Sequence, residues 1–334
     1  MDNKWIIIAC LCVLLGAVLG FTLGLTVNQA SETEESAPVE AQTLRYIAFK
    51  IYDPVYIAYD KGFFEERGVK VEILDTLAGG PTALQAIAGG SAEAGVSSIM
   101  AIINARAQGL PVIGVSDLQS AIGEQPLEEF FVLDDSGIYS IADLKGKTIA
   151  INLAHSSFHY TWLMALEQHG LQEDEVEFIL LPFEQQELAL LNGQVDAIGL
   201  MPPYILHAKS QPNVRLLFDA FDVFGEKQFS THVINSVWAE SNLELAEAFV
   251  TAIADAVQWI EANQAEAAEI VSRHTGVEAR WIGDYFFQEN AVVIYEDSQF
   301  WLDYMRDAGH LDNDWLQVSD FMTNSFNQVI NSVR

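Results

Sequence analysis

From Thr43 onward, short β-rich runs alternate with amphipathic segments, a pattern that predicts parallel α/β units. TLRYIAFK (43–50) reads as a strand, PVYIAYDKGFFEERG (54–68) as a helix and VKVEIL (69–74) as a strand. PTALQAIAGG (81–90) follows as a helix, AEAGVS (92–97) as a strand and SIMAIINARAQG (98–109) as a helix. The order then recurs. KTIAIN (147–152), EVEFILL (175–181) and VDAIGL (195–200) are strands, separated by the helices SSFHYTWLMALEQHG (156–170) and FEQQELALLNG (183–193) and followed by PYILHAKS (203–210).

The two halves share a layout. Gly68 and Gly170 end the first helix of each half, Gly90 and Gly193 end the second, and the two spacings agree to within one residue. Glu93-Ala94 and Asp196-Ala197 follow Gly90 and Gly193 at the same offset. Such a repeat predicts two similar lobes rather than one large sheet. Two extended runs, LEEFFVLD (127–134) and FSTHVINSVW (229–238), bracket the second half outside its alternation, and are expected to pair as a two-strand hinge. Beyond Ser241 the chain reads as helical and is expected to pack back on the first lobe. The expected organisation is therefore lobe 1 from 43–133 and 230–334, and lobe 2 from 134–229.

The N-terminal pattern is different. Trp5 to Val27 carries no charge over 23 residues, long enough to span a bilayer. Residues 1–30 read as a membrane anchor, with a cleaved signal segment as the alternative. Lys4 precedes the run and Glu32, Glu34, Glu35 and Glu40 follow it, which places the folded part outside the cell. Both cysteines, Cys10 and Cys12, lie within the run, so the outer part has neither a disulfide nor a thiolate ligand. Acidic residues 31–42 read as a linker.

Charge narrows the partners. With 16 Lys+Arg against 47 Asp+Glu, the net charge of −31 repels phosphates, so nucleic acid is excluded as a partner.

In parallel sheets, ligands sit beyond the carboxyl ends of strands, where helices begin with free N–H groups. Here those places hold Tyr52-Asp53-Pro54, Gly79-Gly80-Pro81-Thr82, Ser97-Ser98, His155-Ser156-Ser157 and Met201-Pro202-Pro203. Lys50, Tyr52, Asp53, Gly80, Thr82, Ser97, Ser98, His155, Ser156, Ser157, Met201 and Pro202 are the candidate ligand contacts. The serines, Thr82 and Asp53 equally suit helix capping, and Tyr52 and Phe158 equally suit packing. His155 and His159 have the spacing of a metal pair but lack a third ligand or the glutamate of a two-histidine metalloprotease motif. No G-x-S-x-G elbow accompanies the serines. The expectation is no catalytic residue, no metal and no cofactor.

Five motifs in this order resemble the substrate-binding proteins of ABC importers for nitrate, sulfonates, taurine and thiamine-pyrimidine precursors: PVYIAYDKGFFEERGVKVEIL, ALQAIAGGSAEAGVSS, GIYSIADLKGKTIAI, LALLNGQVDAIGL and AFVTAIADAVQWIEANQAEAAEIV. The resemblance covers roughly 43–334. It implies an α/β fold of the type II periplasmic-binding kind, with two lobes that close on a small solute and deliver it to permease and ATPase subunits. It also implies an extracytoplasmic, non-enzymatic protein; a pyrimidine-synthase-like enzyme on the same fold is the alternative of another class. Many relatives carry Glu-Pro after the last strand of the second unit, where this chain has Met201-Pro202. A small organic anion such as a sulfonate is the first expectation for the solute, and an aromatic or pyrimidine solute the second.

Overall fold

The computed structural model describes residues 42–74, 79–122 and 127–331, all within one unit, Glu40–Arg334. The anchor and most of the linker expected at the N-terminus lie outside these residues. Among the described residues no helix is long and apolar enough to cross a membrane.

Among the described residues ten strands form two five-stranded sheets of one design. The first contains β1 (Gln42–Ile47), β2 (Val69–Leu74), β3 (Ala94–Ser98), β4 (Val112–Ser120) and β10 (Gln228–Asn235), in the order β2-β1-β3-β10-β4. The second contains β5 (Glu129–Leu133), β6 (Thr148–Ile151), β7 (Glu177–Leu180), β8 (Ala197–Leu200) and β9 (Val214–Asp219), in the order β7-β6-β8-β5-β9. In each sheet one strand, β10 or β5, runs antiparallel to both its neighbours. Helices α1 (Pro54–Lys61), α2 (Gly80–Ala88) and α3 (Ile99–Ala107) connect the first sheet's strands, and α4 (Ser157–Gln168), α5 (Phe183–Leu191) and α6 (Ile205–Lys209) those of the second.

The repeated acidic-alanine pair has one structural job in both lobes. Glu93 Oε2 accepts the Arg45 N–H at 2.7 Å, and Asp196 Oδ2 accepts the Thr148 N–H at 2.9 Å. The backbone returns the bond, Glu93 N–H to the Arg45 carbonyl and Asp196 N–H to the Thr148 carbonyl. Each carboxylate thereby ties one parallel strand, β1 or β6, to the start of its neighbour, β3 or β8. Asp196→Ala is expected to lower stability by about 1–2 kcal/mol in urea unfolding, because the Thr148 N–H loses its acceptor, while Asp196→Asn should keep most of it.

The hinge differs from the sequence expectation. The runs 127–134 and 229–238 do not pair with each other; each supplies the antiparallel strand of a different sheet, so β5, assigned above to lobe 1, belongs to the second sheet. The chain crosses between sheets just before β5 and just before β10. The two crossings meet where the Ala121 N–H donates to the Lys227 carbonyl at 2.8 Å and Gln228 is in register with Ser120. Two linking segments are present, displaced from the expected ones. Strands β4 and β9 also went unrecognised in the pattern, and complete each sheet beside its antiparallel strand.

The helical C-terminal region covers the first sheet. In the helix Leu243–Ala262, Phe249 stacks on Phe64 at 5.4 Å and meets Tyr46 at 5.9 Å. Gln228 fixes the segment after it: its Oε1 accepts the Ile294 N–H, and its carbonyl accepts Trp301 Nε1 at 2.7 Å.

Candidate functional site

A cavity of about 340 Å³ lies between the two sheets and takes its walls from both. From the first sheet come the loop after β1, the start of α2 and the end of β3. The second contributes the starts of α4 and α5 and the segment after β8.

Each helix start is built locally. Ser98 precedes α3 in extended conformation, and its hydroxyl accepts the Ala101 N–H at 3.3 Å. Ser156 does the same for α4, accepting the His159 N–H at 3.4 Å while donating to Asn152 Oδ1 at 2.8 Å. At α2 no side chain caps. Instead Gly80 packs so closely on Ser97 that a Cβ there would collide with the Ser97 hydroxyl. Gly199 on β8 plays a similar part, since a Cβ would strike the rings of Phe130 and Phe158.

Lys50, Gly80, Ser97, Ser98, Ser156, Ser157 and Met201 come together on the cavity wall. The other candidates stand elsewhere. Tyr52 is buried and stacks on Tyr285 at 4.9 Å. Asp53 is buried as the N-cap of α1: Oδ1 accepts the Val55 N–H at 2.9 Å and faces His232 Nε2 at 3.1 Å, and Oδ2 accepts the Tyr46 hydroxyl at 2.6 Å. Thr82 is exposed on α2, and Pro202 lies off the lining. His155, exposed and at φ 60°, places Nδ1 3.4 Å from the Tyr160 hydroxyl rather than in the cavity. His159 is buried with Nε2 3.3 Å from Glu173, and burial holds its pKa below the ordinary value. Among the described residues no three His, Cys, Asp or Glu side chains converge as a metal would require.

The wall also contains residues the sequence reading missed. Phe183 and Glu184 begin α5, a helix start the carboxyl-end rule points to as directly as the others. Leu118 and Gln119 lie near the end of β4, and Ser230 near the start of β10. Phe158 meets Phe183 at 4.8 Å, and Phe183 stacks on Tyr204 at 6.3 Å, making one aromatic side. The Tyr204 hydroxyl donates to Glu184 at 3.5 Å, and burial pushes its pKa up, with the Glu184 charge adding to the effect. Among the described residues on the wall Lys50 is the single cation and Glu184 the single carboxylate.

Behind the wall sits Glu128, fully buried at the crossing into the second sheet. Thr161 Oγ1 donates to its Oε2 at 2.9 Å, and burial pushes the carboxyl up to about 8.

Two sheets of one topology, linked by two crossings and sharing a cavity made of helix starts, define the two-lobed fold of periplasmic binding proteins. The chain belongs to the NMT1/THI5-like family, whose model matches residues 52–267. It is 27% identical over 210 residues to a putative aliphatic sulfonates-binding protein of Escherichia coli, covering 62% of this chain and 63% of that protein. It is 26% identical over 319 residues to the riboflavin-binding protein RibY of Chloroflexus aurantiacus, covering 89% of this chain and 86% of that protein. Among solved structures, the alkanesulfonate-binding protein SsuA of Xanthomonas axonopodis bound to MOPS superposes with a TM-score of 0.71 at 20% identity, over 85% of this chain and 99% of that one.

Proposed function

We propose that this chain is the extracytoplasmic solute-binding component of an ABC importer, whose two lobes close on a small organic solute and present it to permease and ATPase subunits. In this reading residues 5–27 tether the protein to the outer face of the membrane, or are cleaved to release it. The observation that carries the solute site is the Ser97 hydroxyl: it is 3% exposed, on the cavity wall, and without a hydrogen-bond partner among the described residues. A buried hydroxyl is rarely left unpaired, and a solute atom in the cavity would satisfy it.

The wall chemistry favours a flat organic body. Phe158, Phe183 and Tyr204 offer one aromatic side, while Ser97, Ser98, Ser156, Ser157 and Asn152 offer hydrogen bonds at the helix starts. A compact inorganic anion such as nitrate would leave most of the cavity unfilled. A sulfonate head on an apolar body is the second reading, favoured by Lys50 and by the N–H groups at the starts of α3 and α4.

The test is a thermal-shift screen of the full-length chain in detergent against riboflavin, pyrimidines, benzenesulfonate, taurine and nitrate. A solute at 100 times its Kd adds about 2.7 kcal/mol of stability. Ser97→Ala should leave the solute-free protein as stable as the parent, and weaken the bound solute by about 1 kcal/mol, roughly fivefold. Chemical turnover of a bound solute would sink the binding-only reading in favour of an enzyme. An unchanged affinity in Ser97→Ala would remove this hydroxyl from the site.

A further inference from the structure

Glu128 ends the crossing that carries the chain into the second sheet, one residue before β5. Its buried side chain lies against α4, where Thr161 donates to Oε2. Ser157, one turn earlier on the same face of α4, also acts on this carboxyl and favours its ionised form. Even so, Oε1 has no hydrogen-bond partner among the described residues. Ser157 in turn lines the cavity between the lobes. The carboxyl therefore stands one hydroxyl behind the cavity wall.

We propose that Glu128 is a positioning residue of the cavity: its free oxygen sets which way the Ser157 hydroxyl points, and so whether a solute meets a donor or an acceptor at the start of α4. The inference rests on the cavity being the solute site. A protonated carboxyl has one O–H to give, and Oε1 is the oxygen with room for it. Donating to Ser157 Oγ, it leaves the serine's own O–H free to donate to the solute. An ionised carboxylate accepts from Ser157 instead. That O–H then turns away from the cavity, and the solute faces lone pairs with a buried negative charge behind them.

The surroundings keep the neutral form in place at pH 7. Burial pushes this carboxyl up to about 8, against the opposing pull of Ser157 and Thr161. No Lys, Arg or His among the described residues acts on it. The nearby titratable group is the Tyr285 phenol, itself pushed up by burial, with the charges of Asp117 and Glu128 adding to the effect.

The test uses the full-length chain in detergent and follows the infrared carbonyl stretch of the protonated acid, assigned by its loss in Glu128→Gln. The band is expected at pH 7 and should titrate away towards pH 9. Ser157→Ala should move the midpoint upward, because the ionised form loses a donor. A midpoint in the ordinary carboxylate range, or one that Ser157→Ala leaves unmoved, overturns the proposal. Benzenesulfonate and riboflavin serve as solute probes. Affinity for a probe that binds should fall roughly tenfold per pH unit above the midpoint in the parent and stay flat in Glu128→Gln. Equal slopes in the two proteins also overturn it. If neither probe binds the parent at any pH, the solute reading is what fails, and the carbonyl titration still decides the role of Glu128.

Discussion

Asp53→Ala is expected to cost about 3–5 kcal/mol of folding stability, the loss typical of removing one partner from a buried charged cluster. The carboxylate is fully buried and serves three groups at once: the Tyr46 hydroxyl, the Val55 N–H and the His232 ring. None of these can turn to water, because Tyr46 and His232 are fully buried as well. His232 Nδ1 already lacks a partner among the described residues, so the ring has no second bond there to fall back on. Asp53→Asn keeps an acceptor for the cap, and about 1–2 kcal/mol is the expected loss. Urea unfolding of parent and both variants measures this. A loss below about 1 kcal/mol for the alanine variant would show that the cluster is not holding α1 against β10. The same pair of variants separates capping from ligand contact: Asp53 lies off the cavity wall, so solute affinity in Asp53→Asn should stay within about twofold, a few tenths of a kcal/mol.

The repeat was legible in sequence because each lobe contains the same three strand–helix steps, and burial imposes the same spacing of apolar runs and helix-ending glycines twice. Gly90 and Gly193 sit in the left-handed region, at φ 75° and 65°, after equivalent helices. What the pattern hid were the strands whose neighbours come from elsewhere. β4 reads VIGVSDLQS, with Ser116, Asp117, Gln119 and Ser120 all buried, so no apolar alternation announces it. Asp117 among them is held by Gln228, 111 residues further along the chain, and by the Gln288 backbone N–H. β5 and β10 looked alike as extended runs. Which sheet each enters depends on pairing, which a single chain's periodicity does not encode.

The candidate site divided along similar lines. Residues at the carboxyl ends of strands, such as Ser97, Ser98 and Ser156, reach the cavity because the strand direction aims them there. Asp53 and Tyr52 follow the same rule one step too far, and the turn that begins α1 carries them under the wall instead of onto it. Ser230 escaped notice for the opposite reason: in an antiparallel strand it is the amino end that lies beside its neighbours' carboxyl ends, as the register of Ser230 with Ser98 shows. Residues 152–162 are the sharpest case. Their two histidines attract attention, yet Asn152, Ser156, Ser157 and Phe158 are the residues that line the cavity.

Glu128 should also give folding stability a pH dependence that Glu128→Gln removes. Its carboxyl moves from the ordinary 4.5 to about 8 in the folded protein, first through burial, so between those values the native state binds more protons than the unfolded chain. Stability therefore falls as pH rises through this window. The contribution is fully present below about pH 4.5 and is lost by the time pH has passed about 8. At 1.36 kcal/mol per pKa unit the loss is on the order of 5 kcal/mol. Asp117, pushed up to about 6 by burial, has the same sign and a narrower window, and it remains in the variant. The quantity to follow is hence the difference between parent and Glu128→Gln in urea unfolding from pH 4.5 to 9. The parent should lose ground to the variant steadily and then level off. A constant difference would mean that the buried carboxyl changes its protonation no more on folding than an exposed one does, and would leave Ser157 without a pH-dependent partner behind the cavity wall.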